Sequence, residues 1–251
     1  MSFKTLTGAI GAGVLIAVAS AATAGTTPAN IAAAVADAGR PAADTALDAG
    51  RKPAELMTAA GIKPGMTVVD VFPGAYWDRL FAKAVGPTGK VFAFWPAEMV
   101  KAENVPAPPS GSHPDPANPN ITAIVAPVNK FPIDVPADVI WIRQNYHDLY
   151  DPFMGPADVP AFNKTVFNTL NHGGLYVIID HSAPDGSGLA GANTTHRIDA
   201  AVVKKDMAAA GFVFAGESDV LRNPADTRDK LVFDKTIRGR TDQFVYLFRK
   251  P

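Results

Sequence analysis

The chain has 251 residues, 47% of them hydrophobic, with 23 basic against 24 acidic side chains and no cysteine. That much apolar side chain supports one large or two small packed domains, and it excludes a disordered chain or a short disulfide-stapled module. A formal net charge of −1 offers no basic surplus for nucleic acid or an anionic membrane. The lack of cysteine removes disulfides, zinc fingers and cysteine nucleophiles.

In chain order, the first residues read as an export signal. Lys4 supplies the positive charge, Leu6 to Ala19 an apolar stretch, and Ala22-Thr23-Ala24 a small-x-small cleavage pattern. A permanent membrane anchor needs roughly 18 or more apolar residues, and this stretch is shorter and rich in glycine and alanine. The expected division is residues 1–24 as signal peptide, 25–50 as an Ala-rich helical segment and 51–251 as the main domain. A periplasmic or secreted location follows, without a stable membrane anchor after cleavage.

Thr27 to Gly50 is interrupted by Gly39, Pro41 and Gly50 and predicts one or two short helices on the outside of the main domain. Pro53 suits a first helical turn, carried by Ala54 to Ala60. The β-branched run Thr67 to Val71 has the character of a strand buried on both faces, and Trp77 to Val85 follows with helical spacing. Further strands are predicted over Lys90–Phe94, Ile121–Ala126, Ala137–Arg143, Leu175–Asp180, Phe212–Glu217 and Gln243–Phe248. Helices are expected at Ala97–Lys101, Val159–Leu170 and Asp199–Ala210, and His172-Gly173-Gly174 reads as the turn before the fifth strand. Such alternation is the pattern of an open α/β sheet.

The order of elements resembles the class I S-adenosylmethionine-dependent methyltransferases. Specific segments are Arg51-Lys52-Pro53-Ala54-Glu55, Asp70-Val71-Phe72-Pro73-Gly74, Asn145-Tyr146-His147-Asp148, Asp180-His181-Ser182-Ala183, His196-Arg197-Ile198-Asp199 and Thr241-Asp242-Gln243-Phe244. These are similar to a bacterial group of exported proteins known as predicted methyltransferases. The resemblance covers roughly Arg51 to Pro251. It implies a Rossmann-like, doubly wound, mainly parallel seven-stranded sheet, and S-adenosylmethionine as cofactor.

By that resemblance the cofactor contacts are Asp70, Phe72, Gly74, Tyr76, Trp95, Glu98, Asn145 and Tyr146. Two departures fall on them. The turn after the first strand keeps only Gly74 where relatives carry consecutive glycines, and the second strand ends in Phe94-Trp95-Pro96 where the family places a ribose-binding carboxylate. Glu98 is the nearest acid. The Gly74 turn also has a plainer reading, a tight turn at a helix N-terminus.

Ligands of an open α/β sheet sit at the carboxyl ends of the strands. His147 follows the fourth strand, while Asp180 and His181 end the fifth, so these three are the candidate catalytic residues, with either histidine able to move a proton. The same histidines also read as hydrogen-bonded structural groups. A mixed His/carboxylate cluster is able to hold a divalent metal, an alternative that is not the favoured one. Asp199 is expected to cap a helix. The functional readings are an exported enzyme methylating a small molecule, or a methyltransferase fold that has lost the cofactor and binds another small ligand or a metal.

Overall fold

The computed structural model describes residues 26–103, 106–130, 133, 135–155 and 157–251. The expected signal peptide lies outside these residues. Among them no helix is long and apolar enough to cross a membrane.

The chain opens with short helices α1 (Ala29–Val35), α2 (Ala42–Thr45), α3 (Asp48–Arg51) and α4 (Pro53–Ala59). It continues as β1 (Thr67–Val71), α5 (Ala75–Val85), β2 (Lys90–Pro96), α6 (Ala97–Glu103), β3 (Ile121–Ala126) and β4 (Ala137–Arg143). After two 3-10 turns come α7 (Val159–Thr169), β5 (Leu170–His181), α8 (Ala192–Thr195), α9 (Ala200–Ala210), β6 (Val213–Glu217) and β7 (Gln243–Arg249). The sheet order is β3-β2-β1-β4-β5-β7-β6. Every pairing is parallel except those of β7, which runs antiparallel to both β5 and β6.

Side chains of period two divide this sheet into two apolar faces. Val69, Val71, Ile140, Ile142 and Ile178 pack with α7 and α9, whereas Val68, Trp141, Val177 and Ile179 pack with α1, α4 and α5. Each fully buried aliphatic or aromatic side chain contributes about 1.5–3 kcal/mol by leaving water. The helices over these faces start where the sequence supplies a cap. Asp158 accepts a hydrogen bond from Ala161 N–H at 3.0 Å and Asp199 one from Ala201 N–H at 2.9 Å, as expected for Asp at the N-cap.

Two expectations change. His172-Gly173-Gly174 is not a turn ahead of β5 but a bulge within it: between Ala137↔Leu170 and Val139↔Leu175 the register slips, and Gly173 takes φ 79°. Glycine absorbs the extra residues because it reaches that φ without strain. The Ala-rich segment forms three helices rather than one or two, because Pro41 and Leu47 each begin a new one. It also clasps the main domain: Tyr76 Oη donates to Asp48 Oδ1 at 2.6 Å, and Arg79 pairs with Asp44 at 2.6 Å.

β1 pairs with β2 on one side and β4 on the other. This is where the chain reverses its winding direction, and the crevice at such a point is the expected ligand site.

Candidate functional site

Three loops leave the carboxyl ends of β1, β4 and β5, and two of them start with a strained residue. Phe72 and Gln144, directly after β1 and β4, have φ 58° and 62°, and His196 after α8 has φ 54°. Side chains with a Cβ rarely adopt this region, and such strain concentrates at sites that need unusual loop geometry.

At the centre is His147. Asp180, wholly buried at the end of β5, accepts hydrogen bonds from His147 N–H at 2.8 Å and His181 N–H at 2.7 Å, and lies 2.9 Å from His147 Nδ1. His147 Nε2 in turn sits 3.1 Å from Asp148 Oδ1 and 3.2 Å from His196 Nδ1. Asn145 Nδ2 donates to the other Asp148 oxygen, Oδ2, at 2.7 Å. Burial disfavours the charge on His147, yet the carboxylates of Asp180 and Asp148 outweigh it and lift the imidazole to about 10. Asp148 is held below the usual carboxylate range: burial opposes this, and its bond to His147 prevails.

His181 is the opposite case. Burial, then the charges of His147 and Arg143, push it well below the usual histidine value, so the ring is neutral. Its Nδ1 is 2.7 Å from Thr241 Oγ1, and its Nε2 has no hydrogen-bond partner among the described residues.

On the β1 side, Gly74 starts α5. It is exposed, no side chain caps the helix there, and a Cβ added at Gly74 would meet nothing within 4 Å. At the end of the neighbouring strand β4, Arg143 has no carboxylate in ion-pair range among the described residues, and its Nε lacks a partner. Burial and the nearby Arg51 lower Arg143 to about 10. The Arg51 guanidinium lies over the Tyr76 ring at 4.4 Å.

The sequence-predicted residues therefore divide. His147, Asp180 and His181 meet at the ends of β4 and β5, Gly74 is exposed after β1, and Asn145, expected on the cofactor, bonds Asp148 instead. Asp70, Tyr76 and Tyr146, expected on the cofactor, have their polar atoms committed elsewhere. Asp70 is buried against Asp78 under the α5 turn, Tyr76 bonds Asp48, and Tyr146 donates to Asp206 at 2.9 Å from within the core. Phe72 is also in the core, and Trp95 packs partly buried against it. Glu98 accepts from Val128 N–H at 3.0 Å, on the loop after β3. The sequence marked His196 only as part of a family-like segment, although it touches His147 directly, and it gave Arg143 and Asp151 no role. Cavities of about 460 and 390 Å3 lie along α5 against Asn118 and the Pro114–Ala117 loop, and neither is lined by Gly74, His147 or His181.

No protein-family model matches the chain, and no curated protein matches it. Solved structures do. A SAM-dependent methyltransferase from Aquifex aeolicus is 20% identical, with TM-score 0.52, over 84% of this chain and 99% of that one. An S-adenosylmethionine-dependent methyltransferase from Mesorhizobium loti is 16% identical, with TM-score 0.50, over 81% and 99%. The 4+2 cyclase SpnF is 15% identical, with TM-score 0.53, over 84% and 82%. At these identities the likeness concerns the fold, and this chain has the class I methyltransferase-like fold.

Proposed function

We propose that this protein is an exported enzyme that transfers a methyl group from S-adenosylmethionine to a small molecule in the crevice over β1, β4 and β5. The observation that carries this reading is the turn at Gly74. A helix N-terminus without a side-chain cap attracts an anion, and Arg143, at the end of the neighbouring strand β4, has no carboxylate in ion-pair range among the described residues, Asp70 and Asp180 acting on it only through their charge. The carboxylate of the cofactor's amino-acid end would pair with Arg143, and Gly74, although its own N–H bonds Asp70, puts no side chain in the way.

When bound, S-adenosylmethionine supplies a methyl group on a positively charged sulfur. This chain's own residues then have separable tasks. Arg143 would hold the carboxylate, and Gly74 would leave room for it. His181 accepts the proton of the acceptor at Nε2, since its Nδ1 is engaged by Thr241. His147, with both ring nitrogens engaged, positions the loop after β4 against β5. Replacing His181 with alanine is expected to lower turnover by about 10²–10⁴-fold, with the melting temperature moving little, as measured on signal-free protein. Unchanged turnover would remove His181 from the mechanism.

The ribose side favours a second reading. Phe94-Trp95-Pro96 offers no carboxylate, Glu98 is engaged by Val128, and Phe72 fills space that a glycine would leave open. A fold that has exchanged this cofactor for another small anionic ligand accommodates these features, and the cyclase SpnF indicates that the fold hosts varied chemistry. Calorimetric titration with S-adenosylmethionine and S-adenosylhomocysteine separates the two. Micromolar binding, lost in Arg143→Met, supports the first, and absence of heat supports the second.

Export is proposed on Lys4, the apolar stretch and Ala22-Thr23-Ala24. Met1 to Gly25 fused to a reporter active only outside the cytosol is expected to deliver activity. Native protein beginning at Met1 or Ser2 would sink the idea.

A further inference from the structure

We propose that His147, Asp148 and His196 form a binding site for one first-row divalent cation, zinc being the probe of choice, with an open coordination position facing the crevice. The three ligand atoms already stand as a metal needs them. His147 Nε2 is 3.1 Å from Asp148 Oδ1 and 3.2 Å from His196 Nδ1, and His196 Nδ1 is 3.7 Å from Asp148 Oδ1. A tetrahedral centre with bonds of about 2.0–2.1 Å spaces its ligand atoms about 3.3–3.4 Å apart. Two imidazoles and a carboxylate without sulfur suit zinc, iron(II), cobalt or nickel, whereas calcium and magnesium prefer oxygen alone.

The surroundings are those of a metal centre. Asp180 lies 2.9 Å from His147 Nδ1, which fixes the tautomer that presents Nε2 as the ligand, and Asn145 engages Asp148 Oδ2 and leaves Oδ1 to the ion. Such outer partners orient ligands and raise their basicity. His196, at the end of α8, is held in the left-handed region and its side chain is 30% exposed, so solvent reaches the centre from that side. Three protein ligands leave a position for water or a substrate oxygen, the arrangement of a catalytic rather than a closed structural site.

An independent observation comes from Asp151. It is buried in the loop after β4, and neither carboxylate oxygen has a hydrogen-bond partner among the described residues. A buried carboxylate left so needs positive charge nearby, and a cation held by His147 and His196 provides it. The site goes beyond the methyl-transfer reading and stands or falls separately from it, because cation binding is measured without cofactor or acceptor.

The test uses the whole signal-free chain, stripped with a chelator, and titrated with zinc in the calorimeter and with cobalt(II) by visible absorption. One equivalent of each is expected, with cobalt bands of four- or five-coordinate geometry and a thermal midpoint that rises with zinc. His196→Asn, which tolerates the left-handed conformation, is expected to fold and to lose the site. Asp180→Asn, a positioning variant, is expected to weaken zinc by about 10–100-fold and to shift the cobalt spectrum. No binding by the wild-type chain overturns the proposal. So does binding that both variants leave unchanged, which assigns the cation to the exposed His113 or His172.

Discussion

Replacing Arg197 with methionine is expected to destabilise the protein by about 3–5 kcal/mol, the usual cost of removing one partner of a buried ion pair. The guanidinium is fully buried: Nη1 lies 2.9 Å from Asp226 Oδ2 and donates to Ser182 O at 3.0 Å, and Nε donates to Lys230 O at 2.9 Å. Asp226 also accepts from Asp242 N–H at 2.7 Å and Arg228 N–H at 3.0 Å. One buried pair thus fastens the irregular connection between β6 and β7 to the end of β5, one residue from His196. Methionine fills the space of the aliphatic stem and leaves a carboxylate in the interior without its counter-charge. For a domain of this size the expected fall in melting temperature is roughly 10 °C. The double variant Arg197→Met with Asp226→Leu should recover most of the loss, because replacing both members of a buried pair with apolar groups is often neutral. A single variant within about 1 kcal/mol of wild type, in urea unfolding, would show that the pair does not hold the connection.

This buried arginine shows where sequence reading stops. The strands were legible because a run such as Thr67-Val68-Val69-Asp70-Val71 has few other places to go than the middle of a sheet, and glycine or proline marks its ends. The meeting of His147 with Asp180 was legible too, since residues at the ends of neighbouring parallel strands share one edge. Direction was harder. Asp70, Tyr76 and Tyr146 lie at the chain positions the family pattern indicates, but position along a chain does not say to which side a side chain turns. Asp70 faces Asp78 because the period of two puts it opposite Val69 and Val71, beneath α5. His196 and Arg197 sit in a connection without periodicity, so nothing in the spacing foretold that one would touch His147 and its neighbour Asp226. Phe72 is a further instance. Its left-handed backbone is a glycine's conformation, and the residue type gives no sign of it.

Stability is expected to fall as pH rises from about 4 to about 7, and Asp78→Asn is expected to remove much of that slope. Asp78 and Asp70 are buried side by side below the first turn of α5. Burial raises both: Asp78 to about 7, and Asp70, further opposed by Asp78, well above the ordinary value of 3.8. Asp70 Oδ2 and Asp78 Oδ1 have no other partner among the described residues, and a proton held between the two carboxyls satisfies both oxygens. The sign follows from linkage. These groups bind protons more tightly folded than unfolded, so their stabilising contribution is complete below the unfolded value of 3.8 and is lost as pH climbs through the folded value of about 7. Carboxylates such as Asp226, held low by burial-opposing hydrogen bonds from Asp242, Arg228 and Arg197, act the other way and matter only on acidification. In Asp78→Asn the amide oxygen still accepts from the Asp70 hydroxyl, and the group that titrates near 7 is gone. At pH 8 the variant should therefore melt on the order of 5 °C above wild type, the shift expected from relieving about 1–2 kcal/mol in a domain of this size, and at pH 4.5 the two should coincide. Melting curves across this range decide the matter. An equal offset at both pH values would mean that the pair does not share a proton and that the gain, if any, comes from packing.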